Sequence, residues 1–126
     1  MSRVKGRDTG LERLVMGALR QRGLRFRTHA ADLPGRPDVV FTRERLAVFI
    51  DGDFWHGYRF PSWRRRMTRF WRVKIAANRE RDRRNFAALR RRRWLVVRVW
   101  HHQVKRSLDA VVEHVEELLG RGKRAG

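Results

Sequence analysis

The sequence predicts an α/β sandwich, a mixed β-sheet flanked by helices, with its elements in the order α-β-β-β-α-β-α. Apolar residues recur at helical spacing in three separate stretches. Between them lie short apolar or alternating runs bounded by Gly, Pro and polar turns, the mark of strands. Three strands in a meander, then a long helix and one more strand, require a helical crossover and hence a mixed sheet. With 126 residues the chain can build one core and not two, so residues 1–126 are expected to form a single domain.

Residues 1–8 are polar and basic and read as a loose arm. Thr9 and Glu12, a hydroxyl and a carboxylate three apart, form a capping box. Leu11, Leu14, Val15, Ala18 and Leu19 follow at helical spacing and Gly23 is a suitable stop, which sets a first helix over about 10–22. Leu24–Thr28 alternates apolar and basic residues, as a half-buried strand does. Residues 29–37 hold Pro34, Gly35 and Pro37 and are loop. Asp38–Thr42 is a second strand, residues 43–45 a polar turn, and Leu46–Ile50 (LAVFI) a fully buried central strand. Residues 51–66 form a loop dense in aromatic, basic and acidic groups. A long helix spans about 67–91, and Trp94–Trp100 is the last strand, bounded by the polar segment His101–Arg106. Ser107 caps a final helix with the stripe Leu108, Val111, Val112, Val115, Leu118 and Leu119. Gly120 is its expected end, and 121–126 a frayed basic tail.

Charge bounds the partners. Lys and Arg number 32 against 13 Asp and Glu, a formal net charge of +19 that calls for a polyanion. Nucleic acid fits, since Arg forks match phosphate oxygens and release counterions. No basic segment rich in apolar anchors stands apart from the core, which argues against a membrane-surface protein. Five Trp and seven Phe argue against disorder. The absence of Cys removes disulfides and thiolate zinc sites and suits a reducing compartment. The first ten residues carry no apolar signal core and no run reaches membrane-spanning length, so the expected location is the cytoplasm.

Several acidic residues and one histidine are candidates for chemistry. Asp38 opens the second strand, and a tight hairpin across 42–45 sets it opposite Ile50 and beside Asp51. A carboxylate, a backbone carbonyl and a second carboxylate at one sheet end suit Mg²⁺; a turn-capping aspartate is the plainer alternative. His56 follows closely and could take a proton from an attacking water, or simply contact phosphate. Phe54 and Trp55 either fold back into the core or stack on bases. On the long helix Trp71, Ile75, Asn78, Asp82, Phe86 and Leu89 share one face, so Asn78 and Asp82 fall in the buried stripe and need partners. Asp82 could orient a histidine or a metal-bound water, or pair with one of the many arginines. Glu12 is explained by its cap, with contact to a metal-bound water as a second role.

The blocks LPGRPDVVF (33–41), VFIDGDFWHG (48–57), FWRVKIAANRERDRR (70–84) and WLVVRVW (94–100) resemble those of the very short patch repair (Vsr) endonucleases, over about residues 9–104. The resemblance implies a restriction-endonuclease-like, PD-(D/E)XK fold and a single-strand nick in duplex DNA beside a T:G mismatch. It implies Asp38 and the Ile50 carbonyl as metal ligands, His56 as general base, Asp82 as the acid supporting it, and Glu12 acting through metal-bound water. Asp51 is a further candidate ligand and Asn78 a supporting residue. Phe54, Trp55 and Trp71 match the aromatics that enter the duplex.

Also implied are Mg²⁺ or another divalent cation, double-stranded DNA as partner, and a bacterial, nucleoid-associated monomer. Mismatch-repair proteins or a DNA cytosine methyltransferase system are the candidate protein partners. Two departures stand out. Asp53 occupies the place of a zinc-binding cysteine, and Gly57-Tyr58-Arg59 replaces a His/Cys-rich stretch. No structural zinc is therefore expected, with Phe60, Pro61 and Trp63 packing the loop instead. His101 also stands where an acidic residue is common. The rivals are a restriction or defence nuclease of the same fold cutting paired DNA, and a non-catalytic nucleic-acid binder.

Overall fold

A computed structural model describes residues 9–53, 57–58 and 66–125, without the side chains of Thr9 and 121–125. Helix α1 (Thr9–Gln21) leads into β1 (Arg27–Thr28), β2 (Val39–Phe41) and β3 (Leu46–Asp51). Helix α2 (Arg69–Arg91) crosses over to β4 (Leu95–Trp100), and α3 (His101–Arg106) and α4 (Leu108–Ala125) complete the chain. Among the described residues one sheet forms, in the order β1-β2-β3-β4. Its first three strands are antiparallel, and β4 joins β3 in parallel from Leu46↔Leu95 to Asp51↔Trp100. The α/β sandwich and its element order are as expected, with α3 as an addition.

The core explains the order. All of β3 is buried, and its residues alternate between the two faces of the sheet. Leu46, Val48 and Ile50 pack with Val39, Phe41, Val97 and Val99 against Val15, Met16 and Leu19 of α1 and the apolar stripe of α4. Ala47 and Phe49 face the other way, toward Phe86 and Leu89 of α2, with the Phe49 and Phe86 rings 4.8 Å apart. A continuous apolar strand is what a strand covered on both sides needs.

The structure corrects several boundaries. Leu14 is exposed and Met16 buried in its stead, because the covered arc of α1 centres on Val15, Met16 and Leu19. The capping box rests on the Thr9 side chain and lies outside the described atoms. Ladder pairing in β1 covers only Arg27 and Thr28, although Leu24 and Phe26 still pack on the core as the alternation required. Thr42 belongs to the turn, where the Arg45 amide donates to its carbonyl at 3.3 Å. The β2–β3 register is therefore Phe41↔Leu46, Val40↔Ala47 and Val39↔Val48, one residue off the pairing that sets Asp38 opposite Ile50.

Residues 101–106 are helical rather than a polar boundary. His101 and Val104, three apart, are buried, and the Gln103 side chain accepts the Trp100 amide at 2.8 Å. Helix α4 runs past Gly120 to Ala125. A glycine within a helix costs only about 1 kcal/mol, too little to end one that nothing else interrupts.

Candidate active site

Asp38 is delivered by a loop that lies close against the sheet. Gly35, at φ +77°, suits this close approach, because a Cβ there would meet the Phe49 ring and the Asn85 Cβ at a tight 3.1 Å. The Asp38 amide donates to the Val48 carbonyl at 3.0 Å. Asp38 is 5% exposed, and its carboxylate accepts the Ile50 amide at 2.7 Å. Amide and carbonyl of one strand residue point to the same side, so the Ile50 carbonyl faces the edge that Asp38 occupies. The shifted register has thus kept Asp38 beside Ile50 through its side chain.

Two more groups reach that edge. Glu12 extends from the first turn of α1, and His29 from the bend after β1. One ligand atom each from Glu12, His29 and Asp38 lies within 4.8 Å of the others. The His29 amide donates to the Asp38 carbonyl at 3.1 Å, continuing the β1–β2 ladder by one residue. A carboxylate pair with an imidazole is a donor set that fits a divalent cation. Sequence reasoning missed His29. Extending the Thr28↔Val39 pairing by one step is the signal that would have found it.

The opposite face of the same sheet end carries a second acidic pair. Asp51 is fully buried, and its carboxylate accepts Arg98 Nε at 2.8 Å. Asp82, in the buried stripe of α2 as periodicity required, accepts Arg98 Nη2 at 2.5 Å. The guanidinium also lies 4.3 Å from the Trp100 ring centroid and 5.1 Å from that of Phe86. Of the readings open for Asp82, the described residues show the arginine salt bridge. Asn78 is buried too, and its Oδ1 accepts Arg81 Nη1 at 3.0 Å. Arg98 was not singled out from the sequence, though a lone charge within WLVVRVW is a visible signal.

Phe54, Trp55 and His56 lie outside the described residues, as do Phe60, Pro61 and Trp63. What surrounds them is ordered by specific contacts. Asp53 meets His102 Nδ1 at 3.0 Å and accepts the Tyr58 amide on its carbonyl at 2.9 Å. The Tyr58 ring lies 4.4 Å from that of His102 and 5.0 Å from that of Trp100. Gly57, at φ +71°, is buried where a Cβ would come within 2.6 Å of Arg79 Cδ and 2.9 Å of Ile75 Cγ2. The segment next to His56 is thereby seated on α2. Trp71 is half-buried in the first turn of α2, edge-on to a Phe70 that is 65% exposed.

Comparison with known proteins decides the family. Residues 1–62 match the family model described as DNA mismatch endonuclease Vsr. The DNA mismatch endonuclease Vsr of Escherichia coli (strain K12) is 37% identical over 99% of this chain and 85% of its own length. The chain belongs to the Vsr family. Other relatives are the type II nicking enzyme V.XorIIP of Xanthomonas oryzae pv. oryzae, 43% identical over 94% of this chain and 88% of that protein, and V.NmeDIP of Neisseria meningitidis serogroup C, 32% identical over 91% and 80%. Membership makes the protein an endodeoxyribonuclease of the PD-(D/E)XK fold. Among the described residues, no helix is long and apolar enough to cross a membrane.

Proposed function

We propose that this Vsr-family protein nicks one strand of duplex DNA beside a T:G mismatch, with a divalent cation at the edge built by Asp38. The supporting observation is the convergence of Glu12, His29 and Asp38, with Ile50 bonded to Asp38, at one end of the sheet. Asp38 and the Ile50 carbonyl would hold the cation, and Glu12 would bind a water on it. When bound, the cation supplies charge that polarises the scissile phosphate. Mg²⁺ is the metal the family resemblance favours.

The remaining work falls to the chain. His56 would take the proton of the attacking water. Asp82 on α2, fixed by Arg98 of β4, would set the field that keeps the imidazole in place. Phe54, Trp55 and Trp71 would enter the duplex, joined by the exposed Phe70. The arginine-rich surface would track the phosphates. Relatives named as nicking enzymes support single-strand rather than double-strand cleavage.

Nicking of T:G and fully paired duplexes, with and without Mg²⁺, tests this reading beside Asp38→Ala and His56→Ala. The expected result is metal-dependent nicking of the T:G duplex that both variants lose. Equal cleavage by wild type and Asp38→Ala would reject the proposed centre. Cutting of paired DNA at a defined sequence would favour a restriction or defence role instead.

A further inference from the structure

We propose that His29 is itself a ligand of the cation, so that a mixed carboxylate and imidazole set holds the metal and favours Mn²⁺ over Mg²⁺. The inference rests on the metal-dependent reading above and specifies which ion that edge selects.

Geometry carries it. Three segments (α1, the bend after β1, the residue before β2) each send one donor to a point within 4.8 Å of the other two. His29 Nε2 lies 3.9 Å from Glu12 Oε2, beyond hydrogen-bond range. Donors around one ion, held directly or through one of its waters, stand roughly 3–5 Å apart, and these three groups lie within 4.8 Å of one another. The base of the His29 side chain is fixed relative to Asp38 by the 3.1 Å backbone bond. It is held at φ 49°, a left-handed conformation that a non-glycine residue adopts at a cost. The His29 side chain is 51% exposed and that of Glu12 19%, so an ion from solvent can reach both.

Ligand chemistry then sets the preference. Magnesium dehydrates reluctantly and takes one or two carboxylates with several waters. Imidazole is a softer donor than the oxygens that Mg²⁺ demands; Mn²⁺ also takes oxygen ligands and stands lowest of the first-row divalent ions, yet it accepts nitrogen more readily than Mg²⁺ does. Replacing His29 should therefore weaken Mn²⁺ far more than Mg²⁺. A surface His–Glu ion pair with no ligand role would instead leave metal binding unchanged.

The test uses Mn²⁺ alone on the full chain, with affinity from a solution EPR titration, Mg²⁺ affinity from competition, and pulsed EPR for directly bound ¹⁴N. Wild type is expected to show imidazole nitrogen coupling. His29→Gln should lose that coupling and bind Mn²⁺ at least about tenfold more weakly, with Mg²⁺ affinity changed by less than about threefold. Unchanged nitrogen coupling and Mn²⁺ affinity in His29→Gln, with binding lost in Asp38→Asn, overturns the role of His29 and leaves the metal edge standing. Unchanged Mn²⁺ binding in both variants removes the metal edge itself. Glu12→Gln, at a partly exposed position of α1, replaces Asp38→Asn should that variant fail to fold.

Discussion

Arg98 holds two buried carboxylates from different elements, Asp51 at 2.8 Å and Asp82 at 2.5 Å. Removing it leaves buried negative charges without their guanidinium, a change that costs about 3–5 kcal/mol. Arg98→Met is expected to lose that much in urea unfolding. Arg98→Lys, a point charge without the fork, should fall between the two. A second residue-scale expectation concerns Gly57. A methyl there meets Arg79 and Ile75 on α2 and displaces the segment that carries His56. Misplacement of a catalytic group by about 1 Å can cost on the order of a hundredfold in rate. Gly57→Ala should therefore slow single-turnover nicking by about that factor. A wild-type rate would mean that the seat on α2 does not position His56.

At the scale of elements, β3 joins the two halves of the core, and Phe49 is its largest contribution to the α2 side. Phe49→Ala should cost about 3–5 kcal/mol in chemical denaturation. The end of α2 offers a gain instead. Its last turn closes with Trp94 N–H donating to Leu89 O at 3.0 Å and Arg93 N–H to Arg90 O at 2.9 Å. Arg93 sits at φ 67°, the position that usually takes glycine. Arg93→Gly is expected to raise stability by about 1 kcal/mol, measured by thermal melting.

The loop after β1 carries one titration signal. The hydrogen bond from Arg27 holds the Asp32 carboxyl below its ordinary value of 3.8. A carboxyl depressed in the folded state stabilises above its unfolded pKa, and that contribution is lost as pH falls through the folded one. NMR titration of Asp32 should show the low value in wild type and its return toward normal in Arg27→Ala. The group is fully exposed, so stability itself should barely move.

Across the whole molecule, the last two residues of β3 tie the chemistry together. Ile50 faces the α1 side, next to Glu12, His29 and Asp38, while Asp51 faces α2 and its link to Asp82. One strand end thus supports the proposed cation edge on one face and a charged, hydrogen-bonded frame on the other. Around it the net charge of +19 provides the attraction for DNA. Binding to duplex should weaken linearly in log–log terms with salt. With about six to ten phosphate contacts, affinity should fall about 10³–10⁵-fold between roughly 50 and 200 mM salt. A flat salt response would contradict a binding mode led by phosphate contacts.

The sequence by itself determined the periodic features. The buried stripe of α2 with Asn78 and Asp82 inside it, the all-apolar β3, the mixed sheet and the family blocks were all legible, because burial imposes a repeat along the chain. What only tertiary structure decided has no such repeat. The β2–β3 register turned on whether Thr42 belonged to strand or turn, a matter of one hydrogen bond. The place of His29 beside Glu12, and of Arg98 between Asp51 and Asp82, came from pairing elements far apart in the chain. Local pattern fixes which face of an element is buried; which polar groups meet at its end depends on how the elements pack together.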